Sequence, residues 1–579
     1  MLKLIWKKIN KFVSDVVDKI KHREPWYKYY DKGRKIDYPD LTIYEMIEKT
    51  ATMYPNNYAF EYYGNKITYR ELLVRIKKTA SCLLELGVVE GDRVTICMPN
   101  TPVAIITFYA INMLGATASM IHPLSSEQEI EFYLKESNSK YVLAVDLVYS
   151  KVSKAIKNTN VEKVIVSSVS DDMSKFKQTM YWFLSGRKNK IIKDEKAIFY
   201  KEFMNLGIYY KEFECCKRKL DDEAVILYSG GTTGNPKGIV LTNLNFNALA
   251  MQCLFMCHPV KAGDSILSIL PIFHGFGLGV SIHTPLCIGM KAVLVPDFSP
   301  RKFGSLIKKY KPNFITGVPT LYEALLKTKL GKNELSCLTC VVCGGDTLIP
   351  SFKKKIDAFL MEHGSKAEVR CGYGLTESTA ASCLNPRNEY RDDSIGIPLP
   401  DMKYKIVKIG TFEKTGCMED GEICISGPTV MKGYLNNPDE TKKTLQKHKD
   451  GITWLHTGDI GCMDKDGFIY FKQRLKRMII SSGYNIYPSY VEDIICKHPL
   501  VRSCAVIGIP HEYKKQVVKA YIVLKEGKST ALVKKEIKKY CEDNLSRYSW
   551  PYEYEFRDSL PTTLVGKVAF RKLEEENKK

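Results

Sequence analysis

The sequence predicts an α/β protein with a large N-terminal domain of stacked sheets and helices and a small α+β C-terminal domain. A chain of 579 residues is too long for one ordinary domain. Between residues 37 and 474, apolar runs alternate with helical patterns, as in "RVTICM" followed by "TPVAIITFYAINML", and this alternation is typical of α/β layers. After residue 474, two strand patterns and the polar helix pattern "ALVKKEIKKYCEDNL" indicate the smaller unit.

Three segments follow from this pattern: an N-terminal helix and linker over 1–35, the large domain over 36–475 and the small domain over 476–579. In the first segment, apolar residues recur at helical spacing with lysines between them. Charges interrupt each apolar run, so the segment is not a signal peptide. Two interpretations stay open: the helix lies on a membrane surface, or its apolar face docks on the protein body.

Charge and cysteine content restrict the compartment and the partners. The formal net charge is +21, but the lysines are scattered and no nucleic-acid-binding module is recognisable, so we expect no nucleic-acid partner. The 18 cysteines accompany no secretory signal, which predicts reduced thiols and a cytoplasmic protein, with the inner face of the membrane as the peripheral alternative.

Two short segments raise specific alternatives. Cys337, Cys340 and Cys343 in "CLTCVVCGG" have no obvious fourth ligand, so they indicate a buried strand that enters a glycine turn rather than a metal site. The uncharged segment 102–121 is long enough to span a membrane, but Asn112 and Gly115 interrupt it and favour a buried helix followed by a strand. By contrast, the lysine-rich region 167–219 is predicted to be an irregular surface excursion.

The stretch "ILYSGGTTGNPKGIV" places glycines, threonines and one lysine behind a short apolar run. Glycine allows close backbone approach, so successive N–H groups can converge on an anion, and Lys237 adds a positive charge. The lysine follows Pro236 and is not followed by Ser or Thr, unlike the usual nucleotide P-loop. The loop predicts a triphosphate cradle, although the same composition alone is also typical of a surface turn.

This loop is the first of a series of motifs in fixed order: "YSGGTTGNPKG", "LPIFHGFG", "GGDTL", "YGLTES", "WLHTGDIG", "QRLKRMIISSGYNIYPSYVE" and "LPTTLVGK". Together they resemble the adenylate-forming enzymes, which include acyl- and aryl-CoA synthetases, peptide-synthetase adenylation domains and luciferases. The resemblance covers nearly the whole chain after residue 37. It implies a mobile C-terminal lid, ATP and CoA as co-substrates, Mg²⁺ as cofactor, and an acyl-adenylate intermediate.

The resemblance also implies a role for each matching residue of the large domain. The loop would hold the β- and γ-phosphates through Ser229, Gly230, Gly231, Thr232, Thr233, Gly234 and Lys237. The adenine would lie on the turn of Gly344, Gly345 and Asp346 and beside Tyr373 and Gly374. Thr376 would contact phosphate, and Glu377 would bind Mg²⁺, which prefers carboxylate and phosphate oxygens. Asp459 would accept hydrogen bonds from the ribose hydroxyls, with Arg474 nearby.

Further roles concern the small domain and its hinge. Lys567 resembles the lid lysine that bridges the acid and the α-phosphate. Lys476 lies at the hinge about which the lid is expected to rotate. That rotation would bring Ser482 and Gly483 beside the adenylate for attack by a thiol. His274 resembles a residue at the entrance between the acyl and thiol tunnels, and a structural histidine is the alternative.

Three features favour a medium- or long-chain fatty acid as substrate: the sequence "GGTTG" in the glycine-rich loop, the apolar "HGFGLGV" run and the amphipathic N-terminus. Alternatives are an enzyme that loads a separate carrier protein, an aryl- or bile-acid CoA ligase, and a light-emitting oxygenase. No motif specifically supports the oxygenase. A catalytically inactive, membrane-associated binding protein is the non-enzymatic alternative. It is opposed by the presence of Glu377, Asp459, Arg474 and Lys567.

Overall fold

The computed structural model describes residues 24–30, 36–184, 194–207, 215–229, 236–481, 484–511, 513–525, 531–562 and 568–577. The predicted amphipathic helix, whose apolar residues run from Leu2 to Ile20, lies outside this part of the chain. Of the segment 1–35, residues 24–30 are described, and they contain the short 3₁₀ turn Pro25–Tyr29. Buried Trp26 in that turn packs with the core of the large domain.

A nine-stranded sheet forms one layer of the large domain. Its central strands run parallel, and antiparallel strands complete both edges. In spatial order the strands are Ile397–Pro398, Cys383–Leu384, Val369–Tyr373, Cys340–Cys343, Phe314–Gly317, Ser265–Ser268, Lys291–Leu294, Tyr58–Tyr62 and Asn65–Thr68.

An eight-stranded sheet forms the second large layer. The strand Tyr141–Val145 is buried at every position, as expected for a parallel strand covered on both faces. In spatial order the strands are Gly433–Tyr434, Lys237–Thr242, Glu223–Ser229, Thr117–Met120, Arg93–Cys97, Tyr141–Val145, Lys163–Ser167 and Ala197–Phe199.

Helices pack on both large sheets. Several begin at a Ser or Thr whose side chain accepts a hydrogen bond from the first turn, as Thr68 does from the backbone N–H of Glu71. The helices of the large domain are Ile43–Met53, Tyr69–Leu86, Pro102–Met113, Glu127–Ser137, Tyr149–Ala155, Lys175–Leu184, Tyr200–Leu206, Asn243–Met256, the π-helix Phe276–His283, Thr284–Leu286, Phe303–Tyr310, Pro319–Leu326, Pro350–Glu362 and Pro438–Thr444.

Two smaller sheets complete the chain. A mainly antiparallel sheet near the end of the large domain contains Lys403–Val407, Gly421–Ser426, Leu445–Lys447, Thr453–Met463 and Ile469–Arg474. The C-terminal sheet contains Ile479–Ser481, Tyr484–Ile486, Val501–His511, Lys515–Leu524 and Glu553–Phe556, and it is accompanied by the helices Pro488–Cys496, Ala531–Asn544 and Phe570–Glu576.

The C-terminal sheet has its own hydrophobic core. Its buried cluster includes Ile479, Val506 and Ile522, whereas the largest cluster of the N-terminal part ends at Ile469. The predicted fold class, a large α/β domain followed by a small α+β domain, is therefore confirmed. The boundary at 475/476 stays a prediction, which this change of core supports.

The short segments with competing interpretations are also resolved. Residues Cys340–Cys343 form a buried strand, and Pro102–Met113 is a fully buried helix followed by the strand Thr117–Met120. Among the described helices, none combines the length and apolarity needed to cross a membrane. The prediction that 167–219 is irregular is wrong in its described part, because Ala197–Phe199 extends the eight-stranded sheet.

In the small domain, a charged pair joins the start of the unit to its core. The Arg477 guanidinium donates to Glu492 Oε1 at 2.6 Å, and the backbone N–H of Val506 donates to the same oxygen at 2.7 Å. The two side chains are 20% and 15% exposed. Removing the charge of Glu492 therefore leaves a mostly buried guanidinium without its counter-ion.

We expect Glu492→Gln to destabilise the small domain by about 2 kcal/mol, below the cost of breaking a fully buried pair because water still reaches both groups. Hydrogen exchange measured by mass spectrometry should show roughly 30-fold lower protection of peptides from Val501–His511. Glu536→Gln is the matched control, since that side chain is 60% exposed. Unchanged protection in Glu492→Gln would contradict the assigned role.

Candidate active site

The predicted nucleotide residues of the nine-stranded sheet lie where parallel strands end. The strands Phe314–Gly317, Cys340–Cys343 and Val369–Tyr373 are neighbours, and their carboxyl ends therefore share one edge. Gly344 follows the second strand, and its N–H donates to the carbonyl of Gly317 at 3.0 Å. This edge is the usual place for a ligand in an open α/β sheet.

The turn of Gly344, Gly345 and Asp346 has the local geometry that its sequence requires. Gly345 has a φ of 80°, which favours glycine. The Asp346 carboxylate accepts a hydrogen bond from the backbone N–H of Thr347 at 2.8 Å and stays exposed. A Cβ at Gly344 would lie 3.2 Å from the carbonyl oxygen of Gly372, so the turn packs closely beside the strand that carries Tyr373.

Asp459 is the most buried charged group of the site, with 1% of its surface exposed. Its Oδ2 accepts a hydrogen bond from the Tyr373 hydroxyl at 2.7 Å. Its Oδ1 lies 3.5 Å from Arg474 Nε, close enough for attraction, but it has no hydrogen-bond partner in the described part of the chain. Burial raises the pKa of Asp459, and the nearby Arg474 opposes that shift.

The strands explain why Asp459 and Arg474 meet. Asp459 lies on Thr453–Met463 and Arg474 on Ile469–Arg474, and the two residues are direct cross-strand partners. Tyr373 ends a strand of the nine-stranded sheet, and its ring is tilted relative to the ring of Phe471, with the two centroids 6.1 Å apart. The structure thus brings together three predicted site residues, and it assigns the Tyr373 hydroxyl a contact that the sequence did not reveal.

The glycine-rich loop connects two antiparallel strands. Ser229 and Lys237 are cross-strand partners at the ends of Glu223–Ser229 and Lys237–Thr242, so the loop leaves and returns at one point. Gly230, Gly231, Thr232, Thr233 and Gly234 lie outside the described residues.

Lys237 and Glu377 are linked through residues that sequence reasoning missed. The Lys237 ammonium forms an ion pair with Glu440 and lies 4.8 Å from the ring centroid of Tyr434. This contact lowers the pKa of Glu440. The Tyr434 hydroxyl donates to Glu377 Oε1 at 3.0 Å. The phosphate-loop lysine and the predicted metal-binding carboxylate therefore flank one tyrosine.

Thr376 and Glu377 lie in a 3₁₀ turn that is separated from the strand Val369–Tyr373 by Gly374 and Leu375 only. The carbonyl of Glu377 accepts a hydrogen bond from the N–H of Met431 at 2.9 Å, which fixes the turn against the segment before Gly433–Tyr434. A side chain at Gly374 would overlap the backbone of Ala380. Glycine is thus required there for the close approach of the two backbones.

His274 lies in the loop that precedes the π-helix Phe276–His283, and it is half-buried. Its Nδ1 accepts a hydrogen bond from the N–H of Phe276 at 3.2 Å. A side chain at the next residue, Gly275, would overlap the carbonyl of Thr379. The His274 loop therefore contacts the turn that carries Thr376 and Glu377.

The predicted hinge and lid residues are only partly described. Lys476 lies in the short turn Leu475–Arg477 between the last sheet of the large domain and the C-terminal sheet, and its charge contributes to the lowered pKa of Glu440. Ser482, Gly483 and Lys567 lie outside the described residues. On either side of the Lys567 segment, Thr562 and Val568 form an antiparallel bridge, so this segment also leaves and returns at one point.

Comparison with known families matches both parts of the chain. The model of the AMP-binding enzyme family matches residues 47–435, and that of the AMP-binding enzyme C-terminal domain matches residues 490–567. The first match alone spans more than half of the chain.

Curated relatives match over nearly their full length. A long-chain-fatty-acid–CoA ligase of Bacillus subtilis is 34% identical over 562 residues, covering 96% of this chain and 98% of the relative. A protein of the same name from Haemophilus influenzae is 32% identical, covering 95% and 98%.

A solved structure agrees with the fold. ATP-bound MatB from Rhodopseudomonas palustris superposes with a TM-score of 0.80 at 23% identity, covering 93% of this chain and 99% of MatB. The family matches and the curated relatives together establish that the chain belongs to the AMP-binding enzyme family and contains both its large and its C-terminal domain.

Proposed function

We propose that the protein is an ATP-dependent acyl-CoA synthetase that activates a medium- or long-chain fatty acid. The acid and ATP give an acyl-adenylate and pyrophosphate, and CoA then gives acyl-CoA and AMP. The observation that carries the proposal is the buried Asp459 carboxylate, whose Oδ1 has no hydrogen-bond partner among the described residues. A ribose hydroxyl is the kind of donor that would satisfy it.

The relatives support the substrate class. Several curated relatives, 31–34% identical, carry the name long-chain-fatty-acid–CoA ligase. In this chain, the π-helix Phe276–His283 supplies apolar side chains such as Val280, which packs against Leu249. If the acyl chain binds next to the His274 loop, these apolar side chains would suit an alkyl chain better than a polar acid.

In the first step, a carboxylate oxygen of the acid attacks the α-phosphorus of ATP. The bond between the α-phosphorus and the bridging oxygen breaks, and pyrophosphate leaves with the electron pair. Negative charge accumulates on the phosphates, so fixed cations and donors lower the barrier. Lys237 and Thr376 would act on the phosphates, and Lys567 would bridge the acid and the α-phosphate.

The donor set fits a magnesium ion at Glu377, because a carboxylate beside phosphate oxygens is its normal environment. Mg²⁺ would neutralise phosphate charge there. The Tyr434 hydroxyl holds Glu377 Oε1 in place. Lys237 must exchange its contact with Glu440 for a phosphate oxygen when ATP binds.

In the second step, the CoA thiolate attacks the acyl carbon of the adenylate, and AMP leaves. We propose that the C-terminal domain rotates at Lys476 between the two steps. The rotation would remove Lys567 and place Ser482 and Gly483 beside the adenylate. At Gly483, the absence of a side chain would let the thiol arm pass close to the backbone.

Product analysis over a panel of carboxylic acids tests the function. The purified protein with ATP, CoA and Mg²⁺ should form acyl-CoA from fatty acids, detected by mass spectrometry, with one AMP and one pyrophosphate for each acyl-CoA. Turnover only with aryl or bile acids would move the assignment to that ligase class. If the acyl-adenylate forms but its acyl group is not transferred to CoA, a carrier protein would be the favoured acceptor. No product from any acid would refute the enzyme.

Asp459→Asn should raise the KM for ATP roughly 10- to 100-fold, because a hydrogen bond to a charged group contributes about 1.5–3 kcal/mol. The KM for the fatty acid should change little. Initial rates at varied ATP provide the measurement, and Asp420→Asn, an exposed carboxylate beside the same sheet, is the control. Equal ATP affinity in both variants would contradict the ribose contact.

Lys567→Ala should abolish ATP-dependent adenylate formation but leave thioester formation from a supplied acyl-adenylate largely intact. The reason is that this lysine is proposed to act only in the first orientation of the lid. The two half-reactions are assayed separately. Lys572→Ala, an exposed lysine of the helix Phe570–Glu576, is the control. Equal loss of both half-reactions would refute the role.

Peripheral membrane contact through the N-terminal segment is a separate proposal, motivated by its helical spacing of apolar residues and lysines. Full-length protein should co-sediment with anionic phospholipid vesicles more strongly than a protein that starts near Asp31. The binding should weaken as salt is added, because the attraction is partly electrostatic. Equal sedimentation of the two proteins would end the proposal.

A further inference from the structure

Three side chains that can bind a metal converge in the sheet that contains Gly421–Ser426 and Thr453–Met463. They do not include the predicted Mg²⁺ residue Glu377. Cys424, His448 and His456 place their donor atoms within 4.8 Å of one another. Cys424 and His448 are buried, and 9% of the His456 side chain is exposed. Neither family resemblance nor sequence spacing had pointed to this group.

The sheet register explains the convergence. Cys424 on Gly421–Ser426 and His456 on Thr453–Met463 are cross-strand partners, so their side chains project from the same face. His448 directly follows the strand Leu445–Lys447, and its N–H donates to the carbonyl of Ile452 at 3.0 Å. This turn folds the His448 ring back towards His456.

The hydrogen bonds orient the two imidazoles. His456 Nδ1 lies 2.8 Å from Glu422 Oε2, and an ionised carboxylate only accepts, so Nδ1 carries the proton. His456 Nε2 is then left with a lone pair, and it lies 2.9 Å from His448 Nε2. A carboxylate on the far nitrogen is the arrangement that typically orients a metal-ligating histidine.

The Cys424 thiol lies close to His456, and one nitrogen of His448 has no hydrogen-bond partner among the described residues. Cys424 Sγ lies 3.6 Å from His456 Nδ1, the nitrogen that faces Glu422, so the thiolate has to turn towards Nε2 to share an ion with the two imidazoles. His448 Nδ1 is buried and has no hydrogen-bond partner among the described residues. A hydrogen-bonded pair of neutral imidazoles thus leaves this cluster incompletely satisfied.

We propose that Cys424, His448 and His456 bind one Zn²⁺ ion, whose fourth position a water molecule would take, with Glu422 as the group that orients His456. Thiolate and imidazole are ligands that favour zinc over magnesium. Zn–N bonds of about 2.0–2.1 Å in a tetrahedral site separate two nitrogens by about 3.4 Å. The observed 2.9 Å between the imidazole nitrogens requires a widening of about half an ångström. On binding, the thiol proton leaves to solvent, and the proton between the two Nε2 atoms moves to His448 Nδ1.

Neighbouring side chains cover the cluster. The Phe412 ring stacks on His448, with centroids 4.5 Å apart, and covers the cluster from outside. The nearby Lys405 ammonium is already paired with Asp450 at 2.9 Å and lies over the Trp454 ring. Since His456 and Asp459 share one strand, the ion would fix the strand that carries the proposed ribose contact.

Cobalt substitution tests the site on the full-length protein. After chelator treatment and dialysis, Co²⁺ should bind with one equivalent that shows a thiolate-to-cobalt charge-transfer band and the strong visible bands of a four-coordinate ion. Added Zn²⁺ should bleach both. Cys424→Ser should lose the charge-transfer band, and His448→Gln should lose or weaken the visible bands.

Cys462→Ser is the matched control, since it removes a buried thiol from the same strand as His456 without touching the cluster. It should retain the full spectrum. Circular dichroism confirms folding, and the two ligand variants give independent tests. Either of two results would overturn the proposal: wild-type protein without a charge-transfer band, or the same band in folded Cys424→Ser.

Discussion

The buried carboxylate of Asp459 is the constraint on which the proposed site depends. Burial disfavours its charged form, and an unsatisfied buried acceptor costs about 1–3 kcal/mol. Tyr373 satisfies one oxygen, and Arg474 provides a nearby positive charge for the other. The fold thus holds an acceptor in place before any ligand arrives, and in the proposed function a ribose hydroxyl would donate to its second oxygen.

The other proposed residues reach the same region through close backbone contacts. Carboxyl ends of parallel strands deliver the Gly344 turn and the Thr376–Ser378 turn to one edge. Gly275 and Gly374 allow neighbouring loops to touch at distances that a side chain would forbid. Packing at these points, rather than loop composition, sets the positions of Glu377 and His274.

Local sequence patterns predicted the strands, the buried helix Pro102–Met113 and the two-domain order, because these depend on short-range periodicity. The three-residue strand Ala197–Phe199 was missed because it is too short to show a period. Tyr434 and Glu440 were missed because their link to Lys237 joins distant parts of the chain. The same reason applies to Cys424, His448 and His456, whose spacing matches no common metal motif.

The most direct test of the central claim is exchange of labelled pyrophosphate into ATP, since this reaction reports adenylate formation alone. If Asp459, Lys237 and Glu377 act around one nucleotide, exchange should require both Mg²⁺ and a fatty acid and should proceed without CoA. Absence of exchange across a broad panel of carboxylic acids would contradict the account, whatever the protein binds.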